Sequence, residues 1–432
     1  MKHLLAITAA CLRSPAFGKR RASQSVLLHC LVVLLVALPV STGRGDSVIE
    51  VSAGRHDRVG TPMSCRVPES LKQHKQFALT RLDTNKRVLV QLSLEAGPHL
   101  VWLLQEPLDA ETTRRYRLTA ARKPAAPEDA VTVTKSDKHL ELMCGGKPVL
   151  VYNTAVVRSP NRQESYYDRS GYIHPLYNPR GQAITDDFAP DHPHQHGLMF
   201  PWTDTNFEGR PLNFWDQQKG NGRIEHAKID STESGAVCGG FTVRLDHLDV
   251  TTGDKPKPVM TETWHVRVYN LADHFLFDLE SVQRCQGSPL KIQKYHYGGL
   301  AIRGHRNWLV PGQGDFLTSE NRNRSNGNQT RPHWCDIHGM VDGHETGVTI
   351  FCDPRNFRSP QPVRLHPNKP YFCFAPMALG AFEIEAGKPY VSRYRFCIHN
   401  GPLDSEAAER IWRDIDEPPG IRLTQVADNG KP

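Results

Sequence analysis

Apolar and polar residues alternate with period two along most of the chain, the pattern of strands with one buried and one wet face. It predicts strands at 48–51, 88–94 and 100–104, and a hairpin in which 140–144 and 149–152 flank the turn Gly145-Gly146. Further strands are expected at 241–245, 262–268, 275–279, 347–352, 371–374, 382–385 and 391–398. Between 314 and 331 the chain is polar and reads as an exposed excursion. The period changes near the end. Ala408, Ile411, Trp412 and Ile415 share one helical face, and Asp404 is placed to cap its start.

These elements predict an all-β protein. A small N-terminal β-domain over 46–128 precedes a large β-sandwich over 131–415, which ends in a short C-terminal helix. The Pro-bearing stretch 121–129 reads as a linker, and 416–432 as a peripheral tail. Residues 1–45 form a different segment: Lys19, Arg20 and Arg21 precede an apolar run ending at Val40. That order resembles a signal peptide, with an N-terminal membrane anchor as the alternative, and implies an exported protein, periplasmic or extracellular. No other stretch is long and apolar enough for a multi-span membrane domain.

Composition sharpens this picture in three places. Gly and Pro are abundant, at 33 and 32 residues, as a protein of many strands and turns requires. The net charge of +7 lies partly in the leader and no Lys/Arg tract follows, which argues against a nucleic-acid partner. Eight cysteines follow the leader without a CxxC pair, so a thiol zinc knuckle is not expected. Several of them, including Cys352 and Cys397, sit in apolar strands and read as buried structural residues.

The densest chemistry is Asp191-His192-Pro193-His194-Gln195-His196-Gly197. In an extended segment His192, His194 and His196 project to one side, and Pro193 favours that conformation. Aligned imidazoles supply proton transfer near neutral pH or ligate a metal such as Zn or Fe. Our preferred reading requires no cofactor. His194, with His192, is the expected proton donor, and Glu280 or Glu345 the base. Trp202, Trp215, Tyr297 and Trp334 are candidate sugar-stacking residues, with Asn213, His296, Arg303 and Arg358 meeting hydroxyl or carboxylate groups.

The blocks Tyr172-Ile173-His174-Pro175-Leu176, Asp191-His192-Pro193-His194, Gly298 to Arg303, 347–360 and 394–401 together resemble a bacterial exported family labelled PmoA, or methane-oxygenase-like. The resemblance spans roughly 152–415 and implies an exported protein with no established reaction. It also implies a fold-level likeness to mutarotase-type β-sandwiches. One departure is visible. The family pattern has adjacent histidines followed by arginine and glycine, whereas His194 is followed here by Gln195, His196 and Gly197. Membrane methane oxidation does not suit a chain of short alternating strands. The expected function is therefore binding or acid–base conversion of a carbohydrate or polysaccharide by epimerase, hydrolase or lyase chemistry. The alternatives are a non-catalytic glycan-binding or structural protein and a histidine-ligated metal enzyme.

Overall fold

The computed structural model describes residues 47–94, 97–121, 130–160 and 164–425; the leader and residues 122–129 of the expected linker lie outside them. The described chain is mostly β-strand, with large antiparallel sheets and one α-helix, Ser405–Asp416.

Two eight-stranded sheets dominate. The first runs in the order Val363–Leu365, Tyr371–Phe374, Leu300–Arg303, Leu198–Met199, Tyr172–Leu176, Lys147–Asn153, His139–Cys144 and Val131–Lys135. The expected hairpin at Gly145-Gly146 is present here, with both glycines at positive φ. The second sheet runs Gly222–Glu233, Cys238–Asp249, Lys257–Tyr269, Phe275–Cys285, Tyr390–Asn400, His344–Cys352, Trp334–Val341 and Gly314–Thr318. Its edge strand lies inside the stretch expected to be an exposed excursion. There Phe316 and Thr318 are buried while their neighbours are not, an alternation too short and too polar to stand out in sequence.

Both sheets contribute to one apolar cluster, with Leu142, Leu150 and Ile173 from the first and Val243, Val266 and Phe277 from the second. A buried carboxylate, Glu262, sits within the second sheet. It accepts from His247 Nε2 at 2.8 Å, Trp264 Nε1 at 2.8 Å, Gln283 Nε2 at 3.0 Å and Ser281 Oγ at 2.5 Å. Such complete pairing is what makes a charge tolerable at that depth.

The front of the chain has a core of its own, formed by Ile49, Val51, Leu79, Leu100, Trp102 and Leu118. A five-stranded and a three-stranded sheet surround it. The tail expected to be peripheral belongs to this region. Gly420–Gln425 pairs antiparallel with Ser47–Ser52 and forms the edge of the five-stranded sheet.

The front and the second large sheet are joined by apolar and polar contacts. Val101 and Leu103 share a cluster with Tyr269, Trp334, Phe351 and Ala408, against which the helix sets Ile411, Trp412 and Ile415. Asp404 caps the helix by accepting from the Ala407 amide, as its sequence position suggests. The buried Arg58 donates to Ala53 O at 2.9 Å, Asp414 Oδ1 at 2.8 Å and Glu417 O at 2.6 Å. Asp414→Ala leaves that guanidinium buried without its carboxylate. The expected loss is about 3–5 kcal/mol by chemical denaturation, and a loss below about 1 kcal/mol would show that this pair does not fasten the helix to the front.

Candidate functional site

The histidine segment forms one strand of a two-stranded ribbon, His192–His196 pairing with Asp187–Ala189. Gly197 ends it with φ at +40°, where the chain passes directly over the first large sheet. A Cβ at this position would lie 2.2 Å from Ile173 O, so only glycine fits. The fully buried Arg303 fixes the ribbon from below. Its Nη2 donates to Asp191 Oδ1 at 2.7 Å, and its Nη1 to Asp191 Oδ2 at 3.2 Å and Gln195 Oε1 at 2.8 Å. Lys369 Nζ is 3.3 Å from the same carboxylate. Burial opposes ionisation of Asp191, but the hydrogen bond and charge of Arg303 outweigh it and hold the carboxyl well below the usual range.

The three imidazoles have different environments. His192 contacts Asp191 through Nδ1 at 3.0 Å and lies edge to face with His194, ring centres 5.4 Å apart. His194 places Nε2 3.8 Å from Asp216 Oδ1, each side chain keeping 12% exposure. Burial pushes the His194 pKa down to about 4, with Asp216 opposing and His192 assisting. His196 is fully buried, its Nδ1 2.7 Å from Asp187 Oδ1 and its Nε2 2.8 Å from Gln217 Oε1. Both nitrogens of His196 are thus engaged. Among the described residues no group of three or more His, Cys, Asp or Glu is arranged to hold a metal. This corrects the expectation of a His192–His194–His196 metal site.

Asp216 is positioned by a local turn. Asn213 Oδ1 accepts from the amides of Trp215 and Asp216 at 2.9 and 2.6 Å, and Asn213 Nδ2 donates to Asp216 Oδ2 at 3.1 Å. Tyr297 donates its hydroxyl to the same oxygen at 3.4 Å, and Lys219 Nζ lies 3.6 Å away. Burial and then Asp216 push the Tyr297 hydroxyl well above the usual phenol range, so it stays protonated. Trp215 packs against Tyr297 at 5.1 Å and Tyr371 at 5.9 Å; Tyr371 meets His366 at 5.2 Å, and His366 meets His192 at 5.8 Å. These contacts close a ring of side chains running from His194 through Asp216, Tyr297, Trp215, Tyr371 and His366 to His192.

The structure thus brings together His192, His194, Asn213, Trp215, Tyr297 and Arg303, with the exposed His296 edge to face with Tyr297 at 4.8 Å. Other expected members lie elsewhere. Trp202 is fully buried and donates Nε1 to Gln283, and Trp334 is buried under the helix and donates to Glu409. Arg358 donates to the carbonyls of Pro376, Gly380 and Ala381, which makes it a loop fastener. Glu280 pairs with Arg393 at 2.6 Å in the second large sheet. The ionisable groups acting most strongly on His194 are Asp216, His192, His196 and Arg303, and neither Glu280 nor Glu345 is one of them. Sequence reasoning missed Asp216, His366, Lys369 and Tyr371. The one local signal was Asn213-Phe214-Trp215-Asp216, whose Asn–Asp spacing suits a side-chain-capped turn.

An all-β protein with a buried arginine clamp under a histidine ribbon, facing a ring of aromatic and acidic side chains, is the class that fold and site define. The chain belongs to DUF6807, a family of unknown function, whose model matches residues 139–413. That span includes both large sheets almost entirely and every residue of the ring. No curated protein matches the chain. The resemblance to the methane-oxygenase-labelled family is corrected by this match. Nor is any helix of the described residues long and apolar enough to cross a membrane.

Glu345 opens onto a separate cavity of about 750 Å³, lined also by His338, Asp315, Arg324 and Trp308. Behind it, the fully buried Asp336 accepts from His338 Nδ1 at 2.8 Å, His399 Nε2 at 3.1 Å and Thr349 Oγ1 at 2.8 Å. Gly347 lies between the two histidines, and a Cβ there would come within 2.8 Å of each. Burial disfavours charge on all three groups, yet their mutual attraction lowers the Asp336 pKa and raises those of His338 and His399. The stabilisation is therefore present below the ordinary imidazole pKa and fades as pH rises through the raised values. It fades again in acid, as pH falls through the lowered Asp336 value. Thermal melts from about pH 6 to 9 are expected to show wild-type stability declining on the alkaline side and Asp336→Asn flattening that decline. Parallel profiles would remove the cluster as its cause.

Proposed function

We propose that this protein is an exported carbohydrate-active protein in which His194 moves a proton on a sugar bound at the ring of aromatic and charged side chains. The observation carrying this reading is the pair of His194 and Asp216, close together and partly exposed, with the Tyr297 hydroxyl on the same carboxylate. At neutral pH His194 is uncharged and has the capacity of a general base. Proton uptake creates an imidazolium beside Asp216, which stabilises the charge as it forms. Tyr297 and the rim imidazole His296 offer flat faces and polar edges suited to a pyranose. In the same proposal the two large sheets form a β-sandwich of mutarotase type.

The chemistry favoured is proton abstraction, as in epimerisation or elimination. Hydrolysis by two carboxylates needs one that is protonated. Asp191, the carboxylate paired with the neighbouring His192, is held ionised by Arg303 and does not suit that role.

His194→Ala is expected to lower turnover of a responsive saccharide by about 10²–10⁴-fold while leaving its affinity within a few-fold. The acid limb of kcat/KM should fall near the His194 value of about 4, below the ordinary imidazole range. Saccharide binding by the wild type with no turnover in any epimerase or lyase assay would replace catalysis by glycan binding. Turnover unaffected by His194→Ala would remove the imidazole from the mechanism.

A further inference from the structure

We infer that the saccharide accepted by this site carries an anionic group, seated by Arg364. The inference rests on the carbohydrate reading above and adds the substrate class.

The ring of side chains has more fixed positive than negative charge. Arg303 and Lys369 both pair with Asp191, and Lys219 lies by Asp216. Arg364 has no such counterpart: among the described residues no carboxylate forms an ion pair with it. Its Nη1 donates to Leu365 O at 3.4 Å, its side chain also meets the Tyr371 hydroxyl, and its Nε is buried without a hydrogen-bond partner. A buried guanidinium N–H without an acceptor is costly, and a bound anion that reaches it relieves that cost.

The position of Arg364 ties it to the ring. It lies in Val363–Leu365, the edge strand of the first large sheet, and its neighbouring strand carries Tyr371. Its charge acts on His366, His296 and Tyr371, three groups placed around the same rim. His366 is surrounded by positive charge: burial, then Arg364, His192 and Lys369 push its pKa down to about 4. The imidazole next to Arg364 is consequently neutral at pH 7, able to donate or accept a hydrogen bond without adding repulsion. A forked cation with a neutral imidazole beside it matches a planar carboxylate or a sulfate ester, both of which accept paired N–H donors. A neutral sugar hydroxyl would leave the charge of Arg364 unmatched.

The test uses calorimetric titration of the full exported chain with three probes: an oligogalacturonate, a chondroitin sulfate oligosaccharide and a neutral xylo-oligosaccharide of similar length. The wild type is expected to bind one acidic probe at least about 10-fold more tightly than the neutral one, and added salt should weaken that preference. A galacturonate preference assigns a carboxylate to the pocket; binding of the chondroitin probe, which carries both uronate and sulfate, assigns a sulfate where the same oligosaccharide stripped of its sulfates loses the preference and a uronate where it keeps it. Arg364→Gln should reduce the preference to within about 3-fold. Arg364→Lys keeps the charge but not the fork. It should lose most of the preference while folding normally, so it carries the test if the glutamine variant does not fold. Equal affinity for acidic and neutral probes would overturn the anionic inference and leave the carbohydrate reading standing. A preference that survives both substitutions would overturn the role of Arg364. Failure of all three probes to bind would overturn the carbohydrate reading and this inference with it.

Discussion

The burial of Arg303 is the constraint from which the site follows. A guanidinium with no exposure requires a carboxylate at fixed distance and angle, because charge without a partner is intolerable at that depth. Asp191 meets that requirement with both oxygens, and Gln195 takes a further donor. Asp191 and Gln195 flank the histidines, so meeting the demand of one buried cation sets the path of the ribbon between them. The orientation of His192 and His194 toward the ring is thus secured by a residue more than a hundred positions away in sequence. Gly197 completes the arrangement by letting the ribbon descend directly onto the sheet.

The same physics divides three neighbouring histidines into three roles. His196, enclosed by Asp187, Gln217 and Phe188, is part of the packing. His192 is oriented by an aspartate already committed to arginine. His194 alone combines partial exposure with a facing carboxylate that is not bound to a guanidinium. Chemical capacity here depends less on the number of imidazoles than on what their ring nitrogens already hold. The buried Glu262 and Asp336 show the converse: each is saturated by donors and serves the fold.

Much of the fold was legible because strands announce themselves locally. The alternation at 241–245 and 262–268, the Gly145-Gly146 turn and the Asp404 cap all depend on residues close in sequence, and all are present. The histidine segment was legible for the same reason. Its partners were not. Asp216 reaches His194 through a separate turn, and Arg364 reaches His366 and Tyr371 from a three-residue edge strand, so neither juxtaposition leaves a periodic trace. Tryptophans posed the opposite difficulty. Trp202, Trp215 and Trp334 look alike along the chain, yet only Trp215 packs within the ring, and the other two lie under unrelated elements. Glu280 and Glu345 were plausible partners for His194 only while the arrangement of strands was unknown.

The pairing of Gly420–Gln425 with Ser47–Ser52 brings the two ends of the described chain side by side, with Arg422 bonded to Glu50 across 372 residues of sequence. The topology is in this respect nearly circular. A ribosome delivers Arg422 372 residues after its partner Glu50, so the front sheet cannot be completed until the strands of both large sheets have emerged. Closing so long a loop carries a modest extra entropic cost, since that cost grows only with the logarithm of length. The chief effect is therefore on timing. A permuted chain, joined at these ends and opened at an exposed turn elsewhere, would keep every strand neighbour while reversing the order in which the front and the large sheets become able to form.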